Sequence, residues 1–380
     1  MIYRRRIFSL VTILFWFSLY AYIPQMASYA NEMGASFKLI GLITGAYGFS
    51  QTLLRIPLGI LSDRMRNRKV FILFGILCAL ISATLIYVLP NPYTLLVGRL
   101  IAGIAAGTWV NFTILFLSYF NSEETSKSIG IANANSKVGQ LIAMFIGGFI
   151  AGKYGVRSIF AISIIISLIS LILGFSVYEE KNEKNIKINE KNPGILTVIN
   201  NKRILHISFL GMIIQFIAYS TTFGFTPLIA TKLGANNLEL SYLAILYLIP
   251  QVLFSVLAGS FFAKKFGDKC TLLIGIIITT VLCIMTPFSP NLIVLYIFQL
   301  FSGIGMAITF PLLMSMVIKD VDKNLMTTAM GFYQAVYGVG MIVGPMILGS
   351  IGDMYGLTVG FIVVGFLGLL SILSVLKIKE

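Results

Sequence analysis

The chain repeats itself at an interval of two hundred residues, and this limits its fold more than any other feature. Met33-Gly34-Ala35 is answered by Leu233-Gly234-Ala235. Tyr47, Gln51 and Gly59 return as Tyr247, Gln251 and Gly259, and Lys69 and Gly75 as Lys269 and Gly275. Pro90-Asn91 pairs with Pro290-Asn291 and Gly103-Ile104 with Gly303-Ile304. After a one-residue slip Gly148 meets Gly349, and Tyr154-Gly155 meets Tyr355-Gly356. The fold must therefore be two versions of one half, and each half is strongly apolar.

That apolarity decides the solvent. Hydrophobic residues make up 57% of the chain and charged residues 11%, against about 25% charged in ordinary soluble domains. A globular core of this length cannot bury such an excess, so lipid must cover most of the surface. Apolar segments near the roughly 20 residues needed to cross a bilayer fall at about 7–30, 38–62, 70–90, 93–118, 129–152, 156–178, 204–230, 238–262, 270–289, 292–318, 327–351 and 357–376. The first follows Arg4-Arg5-Arg6. It is too long for a signal-peptide core and lacks an A-x-A-type site, so it reads as a span.

The formal charge of +14 invites a nucleic-acid reading, and its distribution rejects it. Assigning alternate loops to opposite sides puts 21 of the 28 Lys and Arg on one side, and four, Lys38, Lys153, Arg157 and Lys232, on the other. This is the positive-inside pattern, which predicts both termini in the cytoplasm of a multi-pass protein in the cytoplasmic membrane. Cys78, Cys270 and Cys283 have neither metal nor disulfide spacing. Nothing resembles a nucleophile triad or a phosphate loop, so neither an enzyme nor a cofactor is expected.

One long polar stretch, 179–203, joins the halves and has too little apolar content to fold alone. The expected organisation is a six-helix bundle over 1–178, a cytoplasmic linker over 179–203, and a second bundle over 204–380. Within the linker, Pro193-Gly194-Ile195-Leu196 suggests a short amphipathic turn. Three basic residues remain inside spans, Arg55, Arg99 and Lys137, all in the first half. Their repeat partners are Ser255, Gln299 and Gly338. Intramembrane charge costs at least about 2.5–3.5 kcal/mol per residue and usually faces a bundle interior or wet cavity. No Asp or Glu lies deep in a span, because Glu32, Asp63 and Asp353 stand at helix ends.

Two further segments carry a resemblance. Between spans two and three stands Gly59-Ile-Leu61-Ser-Asp63-Arg64-Met-Arg66-Asn67-Arg68-Lys69, similar to the G-x-L-x-D-R-x-G-x-R-K signature of the major facilitator superfamily. Arg66 occupies the place of the usual glycine. A worn copy follows span eight as Gly259-Ser-Phe-Phe-Ala263-Lys264-Lys265-Phe-Gly267-Asp268-Lys269. Span four carries Arg99-Leu-Ile-Ala102-Gly103-Ile-Ala105-Ala106-Gly107, which looks like the R-x-x-x-G motif of the same family. The resemblance covers the whole chain. It implies an all-α membrane fold of twelve spans in two pseudo-symmetric halves, and a secondary carrier working by alternating access about a central site. It assigns gating to Gly59, Asp63, Arg64, Arg68 and Lys69, with Asp63 latching one conformation. Arg55, near the inner surface, is placed with this group as a brace.

Polar faces inside apolar spans supply the candidate site. Asn133, Ser136, Lys137, Gln140 and Met144 share one helical face of span five, with Gln334, Tyr337 and Met341 as counterparts in span eleven. Span two adds Tyr47, Gln51 and Arg55, and span eight Tyr247, Gln251 and Ser255. Helix–helix hydrogen bonding accounts for Gln51 and Gln251. Lys137, Asn133, Gln140, Arg99, Tyr22, Gln215, Tyr219, Gln299, Gln334 and Tyr337 are the expected substrate contacts. Three basic side chains without a deep carboxylate favour an anionic or zwitterionic solute, with Lys137 as the best substrate contact and its counter-charge.

Two rival readings stand beside this one. A proton-coupled multidrug or metabolite exporter needs a titratable group, and only Glu32, Asp63, Asp353 and His206 are available. The family's antiporters usually carry G-x-x-x-G-P-x-x-G-G in span five. Here Gly139-Gln-Leu-Ile-Ala143-Met144-Phe-Ile-Gly147-Gly148 lacks the Gly-Pro pair, and Gly344-Pro345 sits in span eleven instead. A non-transporting receptor would need an added signalling domain, and none is visible. The expected partners are a small-molecule substrate, the bilayer and, in the exporter reading, a proton. No nucleic acid is expected, and the chain is taken as a monomer.

Overall fold

In a computed structural model the described residues are 2–120, 125–179, 195–257, 261–319, 321 and 325–377. Among them there is no β-strand. The helices are α1 (Ile2–Tyr20), α2 (Ile23–Glu32), α3 (Phe37–Met65), α4 (Arg68–Val88), α5 (Pro92–Gly107), α6 (Trp109–Leu117), α7 (Thr125–Tyr154), α8 (Arg157–Phe175) and α9 (Ile195–Ile199). They continue as α10 (Lys202–Ser220), α11 (Thr226–Lys232), α12 (Asn237–Leu257), α13 (Ala263–Phe266), α14 (Asp268–Met285), α15 (Leu292–Ile318), α16 (Met326–Tyr355) and α17 (Leu357–Leu376). A π-helical turn, Thr221–Phe225, joins α10 to α11. All-helical structure is what lipid demands, since each backbone polar group must find its partner within the segment.

Ten of the twelve expected spans are long and apolar enough to cross a bilayer. The remaining two are α3 and α7, of 29 and 30 residues. Their length suffices at 1.5 Å per residue. Gln51 and Arg55 on α3, and the polar face of α7, lower their apolarity, so these polar residues hide the two helices from a hydropathy test. Most of the linker, 180–194, and the first two residues of the copied motif, Gly259 and Ser260, lie outside the described residues. Of the expected amphipathic turn, Pro193 and Gly194 do too, and the described part begins with α9.

Equivalent helix ends are built alike. Asn91 caps α5 by accepting from the Thr94 amide at 2.9 Å, and Asn291 caps α15 by accepting from the Val294 amide at 3.0 Å. Gly34 and Gly234 turn the chain at φ 84° and 88°, where a side chain would be strained. Lys69 donates from Nζ to the Phe175 carbonyl at 2.7 Å, and Lys269 to the Leu376 carbonyl at 2.9 Å. The two motif lysines thus do the same mechanical job, tying the helix after each basic loop to the last helix of its repeat.

Contacts divide the chain into two compact units. Unit 1 holds Met1–Ala35, Ala46–Glu183 and Ala235–Ile245, and unit 2 holds Ser36–Gly45, Lys184–Gly234 and Leu246–Glu380. The units depart from the repeats at two helix starts. In unit 2 the first turns of α3 pack on α16, where a Cβ on Gly41 would stand 2.2 Å from the Pro345 carbonyl oxygen. Asp353 caps that start, its carboxylate accepting from the Phe37 and Lys38 amides at 2.7 and 2.9 Å. In unit 1 the start of α12 is held by Gln25, whose Nε2 donates to the Asn237 carbonyl at 2.7 Å and to the Ser241 hydroxyl at 2.8 Å.

Candidate functional site

The polar groups of unit 1 centre on Arg99, two turns into α5. Its guanidinium lies 4.3 Å from the centre of the Tyr47 ring and 6.0 Å from that of Tyr22. The residue is 3% exposed. Among the described residues neither Nε nor Nη1 has a hydrogen-bond partner, and neither does the Tyr22 hydroxyl. Insertion of an arginine costs at least about 2.5–3.5 kcal/mol, and a desolvated cation–π contact returns about 2 kcal/mol. The rings offset part of the cost and leave the charge able to attract an anion. Gly103, one turn on, lets α5 approach α3, since a Cβ there would stand 2.4 Å from the Tyr47 carbonyl oxygen.

Lys137 stands on α7, half-buried, with Nζ 3.5 Å from Gln140 Oε1. Asn135 and Gly139 face α1: Asn135 donates to the Ser9 hydroxyl at 2.8 Å, and a Cβ on Gly139 would meet the Ile13 carbonyl at 2.5 Å. Asn133 and Lys137, each two residues from Asn135, therefore point to the other side of α7. Gln140 is buried and Asn133 exposed.

The same positions in unit 2 carry no charge. Gln299, the partner of Arg99, accepts from the Thr222 hydroxyl at 3.0 Å, and Thr222 is the partner of Tyr22. The Tyr247 ring is retained, its hydroxyl without a partner among the described residues, and packs against Phe223 at 5.8 Å. Gly303 repeats the close approach, 2.4 Å from the Tyr247 carbonyl oxygen to an added Cβ. Gln215 is buried and Tyr219 half-buried, the latter 5.2 Å from Phe223. Gln334 is half-buried on α16. Tyr337 packs against Phe310 and Tyr333 at 5.4 and 5.3 Å, making an aromatic group.

Of the motif residues, Arg64 is exposed, Arg55 is half-buried, and the Asp63 side chain lies outside the described residues. A Cβ on Gly59 would meet Val110 at 3.4 Å, ordinary contact, so crowding does not require glycine there. Arg66 sits in the left-handed region at φ 49°. The amides of Arg68 and Lys69 donate to Glu179 at 2.8 and 2.7 Å, so Glu179 caps α4. Gln251 donates to the Tyr247 carbonyl of its own helix at 3.2 Å, a local bond in place of the expected helix–helix one.

Sequence reasoning passed over Gln25, Asn111 and Glu179. Asn111 is fully buried on α6, and neither amide atom has a partner among the described residues. A lone Asn in the apolar run Trp109–Leu117 was the available signal. Among the described residues no three His, Cys, Asp or Glu side chains gather as metal ligands.

An all-α membrane protein of two repeated six-helix halves has the architecture of a solute carrier. The family model of the Major Facilitator Superfamily matches residues 8–228 and 208–380, and the chain belongs to that family. It is 25% identical to an uncharacterized MFS-type transporter of Methanocaldococcus jannaschii over 346 residues, 88% of this chain and 87% of that one. It is 24% identical to the multi-drug resistance efflux pump PmrA of Streptococcus pneumoniae over 380 residues, 94% and 93% of the two chains. Among solved structures, a mutant form of the nucleoside transporter NupG superposes with a TM-score of 0.84 at 15% identity, over 99% of this chain and 100% of that one. The D-xylose-proton symporter gives 0.79 at 17% identity over 100% and 98%. These structures share the fold. The chain is a secondary transporter of a small-molecule substrate, a multi-pass membrane protein whose work is movement of a solute and not its chemical conversion.

Proposed function

We propose that the substrate carries a carboxylate or phosphate, or is zwitterionic, and that Arg99 is its principal counter-charge. The observation that carries this reading is the burial of Arg99 with two nitrogens unpartnered, among described spans that hold no deep carboxylate. At an effective dielectric of about 20, like charges 4 Å apart repel by roughly 4 kcal/mol, which disfavours cationic solutes. Lys137 and Gln140 act as a second contact on α7, and Gln215, Tyr219, Gln299, Gln334 and Tyr337 line the uncharged side. The experiment is a stability screen of purified protein against anionic, zwitterionic and cationic metabolites, because a ligand of the folded state raises its apparent stability. Anion-specific stabilisation lost in Arg99→Gln, and weakened more in Lys137→Met than in Lys137→Arg, is the expected result. Stabilisation by permanent cations alone would end the reading.

The two repeats, 1–178 and 204–380, rock about this site, with the basic linker and both termini in the cytoplasm. Such rocking must break the Asp353 cap on α3 and the Gln25 bonds to α12, while Asp63 latches the opposite end. Asp353→Asn should raise the labelling rate of single-cysteine reporters on the Lys38 side. Unchanged labelling in both Asp353→Asn and Asp63→Asn would remove the gating roles.

Proton-coupled drug efflux is the second reading. The likeness to PmrA supports it, as does the Phe310–Tyr333–Tyr337 aromatic group of unit 2, which suits a lipophilic cation. Uphill expulsion of such a cation by cells expressing the chain, lost in Tyr337→Ala but kept in Arg99→Gln, would favour it over the anion reading.

A further inference from the structure

Unit 2 has an open groove where α10 begins and α17 ends. Its volume is about 640 Å³, and Lys202, Leu205, His206, Phe209, Leu370, Leu373, Ser374 and Lys377 line it. Lys202 is the first residue of α10 and Lys377 the cap of α17. Both positive charges therefore stand at the same end of the groove. Leu205 and Leu373 lie about one turn further in, and Phe209 and Leu370 about two, roughly 10 Å from the lysines at 1.5 Å per residue. All four apolar side chains are more than two-fifths exposed. A hydrogen bond between His206 and the Ser374 hydroxyl ties the two helices together. Among the described residues neither lysine has an acidic partner.

The corresponding corner of unit 1 is closed by its own residues. There the Arg4 guanidinium lies 3.6 Å from the centre of the Tyr178 ring, just beyond α8. Arg5 donates to the Tyr119 carbonyl at 2.7 Å and lies over the Phe120 ring. The first repeat thus engages Arg4 and Arg5 internally, and in the second neither Lys202 nor Lys377 meets an acidic side chain among the described residues above the apolar trough. Basic pockets between helices at the cytoplasmic surface are places where anionic headgroups collect.

We propose that this groove is a binding site for an anionic diacyl phospholipid. The lipid phosphate sits between the Lys202 and Lys377 ammonium groups, and one acyl chain runs inward along Leu205, Phe209, Leu370 and Leu373. A zwitterionic lipid fits the trough but brings its own cation to the lysines, so it is bound less well. The site does not depend on the identity of the transported solute.

The test uses the purified full chain in a neutral detergent, with phosphatidylglycerol, phosphatidylcholine and inorganic phosphate as separate probes. Lipid retained per protein is read by native mass spectrometry, and the unfolding temperature is followed in parallel. Phosphatidylglycerol should be retained in preference to phosphatidylcholine and should raise the unfolding temperature. A surface lysine is worth about fivefold toward anionic lipid, so Lys202→Gln and Lys377→Gln should each lower the preference about that much. Lys153→Gln with Lys232→Gln, remote from the groove, should leave it unchanged. Equal retention of the two lipids by the native chain would overturn the proposal. So would undiminished preference in the double Lys202→Gln/Lys377→Gln variant, or the same stabilisation from inorganic phosphate at the same concentration, which would make the site one for a free anion.

Discussion

Arg99 with Tyr22 and Tyr47 in unit 1, and Gln299 with Thr222 and Tyr247 in unit 2, occupy equivalent positions and differ by one charge. The tyrosine and the close helix approach are common to both. The close approach is thus made with a cation at position 99 and with a neutral amide at position 299. A cation there is an addition that the packing does not demand, and the second repeat keeps the architecture with a neutral hydrogen bond to Thr222. Of the two equivalent positions, the first repeat carries a charge and the second does not.

Exchanging the two residues is the severest way to break the comparison. Gln299→Arg puts a guanidinium beside Thr222, without the second ring that Arg99 has in Tyr22. It should destabilise the protein by about 2.5–3.5 kcal/mol, measured as a fall in unfolding temperature in detergent. Arg99→Gln should fold normally and lose anion affinity about 10- to 100-fold, the worth of a charge-assisted hydrogen bond of about 1.5–3 kcal/mol. Equal stability losses in the two variants would mean that the repeats do not differ in how they house a cation.

The shared scaffold can be tested next. Gly103→Ala and Gly303→Ala each push a methyl to 2.4 Å from a tyrosine carbonyl oxygen. Overpacking of this kind costs about 1–3 kcal/mol, and the two losses should agree within their errors. A cost confined to one repeat would show that the helix crossings are not equivalent. Tyr47→Leu against Tyr247→Leu is a finer cut. Only the first removes a ring from beneath a cation, so it should cost about 0.5–2 kcal/mol more.

The sequence made the repeat, the span count, the polar faces and the close-packed glycines readable, because each follows from period, length or residue size. It could not reveal which helix starts pack with which unit. Asp353 capping α3 and Gln25 holding α12 are bonds between distant segments, and neither has a like residue at its repeat position. Glu179 was equally silent: a carboxylate beside Glu180 after an apolar run gives no sign that it caps α4. The polar stripe of α7 was legible as a stripe, but the direction it faces depends on Asn135 and Gly139 meeting α1. Gln251 shows the limit of reading polarity alone. An interior amide predicts a hydrogen bond without saying that its own helix supplies the acceptor.

The mildest expected effect lies in the basic loops. In unit 1 the turn between α3 and α4 places Arg66 at φ 49°, and in unit 2 the turn before α14 uses Gly267 at φ 80°. Each connection thus holds one residue at positive φ, one place apart in the repeat register, a side-chain-bearing residue in unit 1 and a glycine in unit 2. A left-handed conformation costs a side-chain-bearing residue roughly 1–2 kcal/mol, and glycine recovers this at the expense of greater freedom in the unfolded chain. Arg66→Gly should therefore raise stability by about 0.5–1 kcal/mol. Arg66→Ala separates backbone from charge, since it removes the guanidinium and keeps the Cβ. If Arg66→Ala stabilises as much as Arg66→Gly, relief of charge repulsion among Arg64, Arg66 and Arg68 is the cause, and the turn is not where the repeats differ in strain. Unfolding temperatures measured at low and at high salt decide between these outcomes, because screening weakens the charge effect and leaves the backbone effect in place.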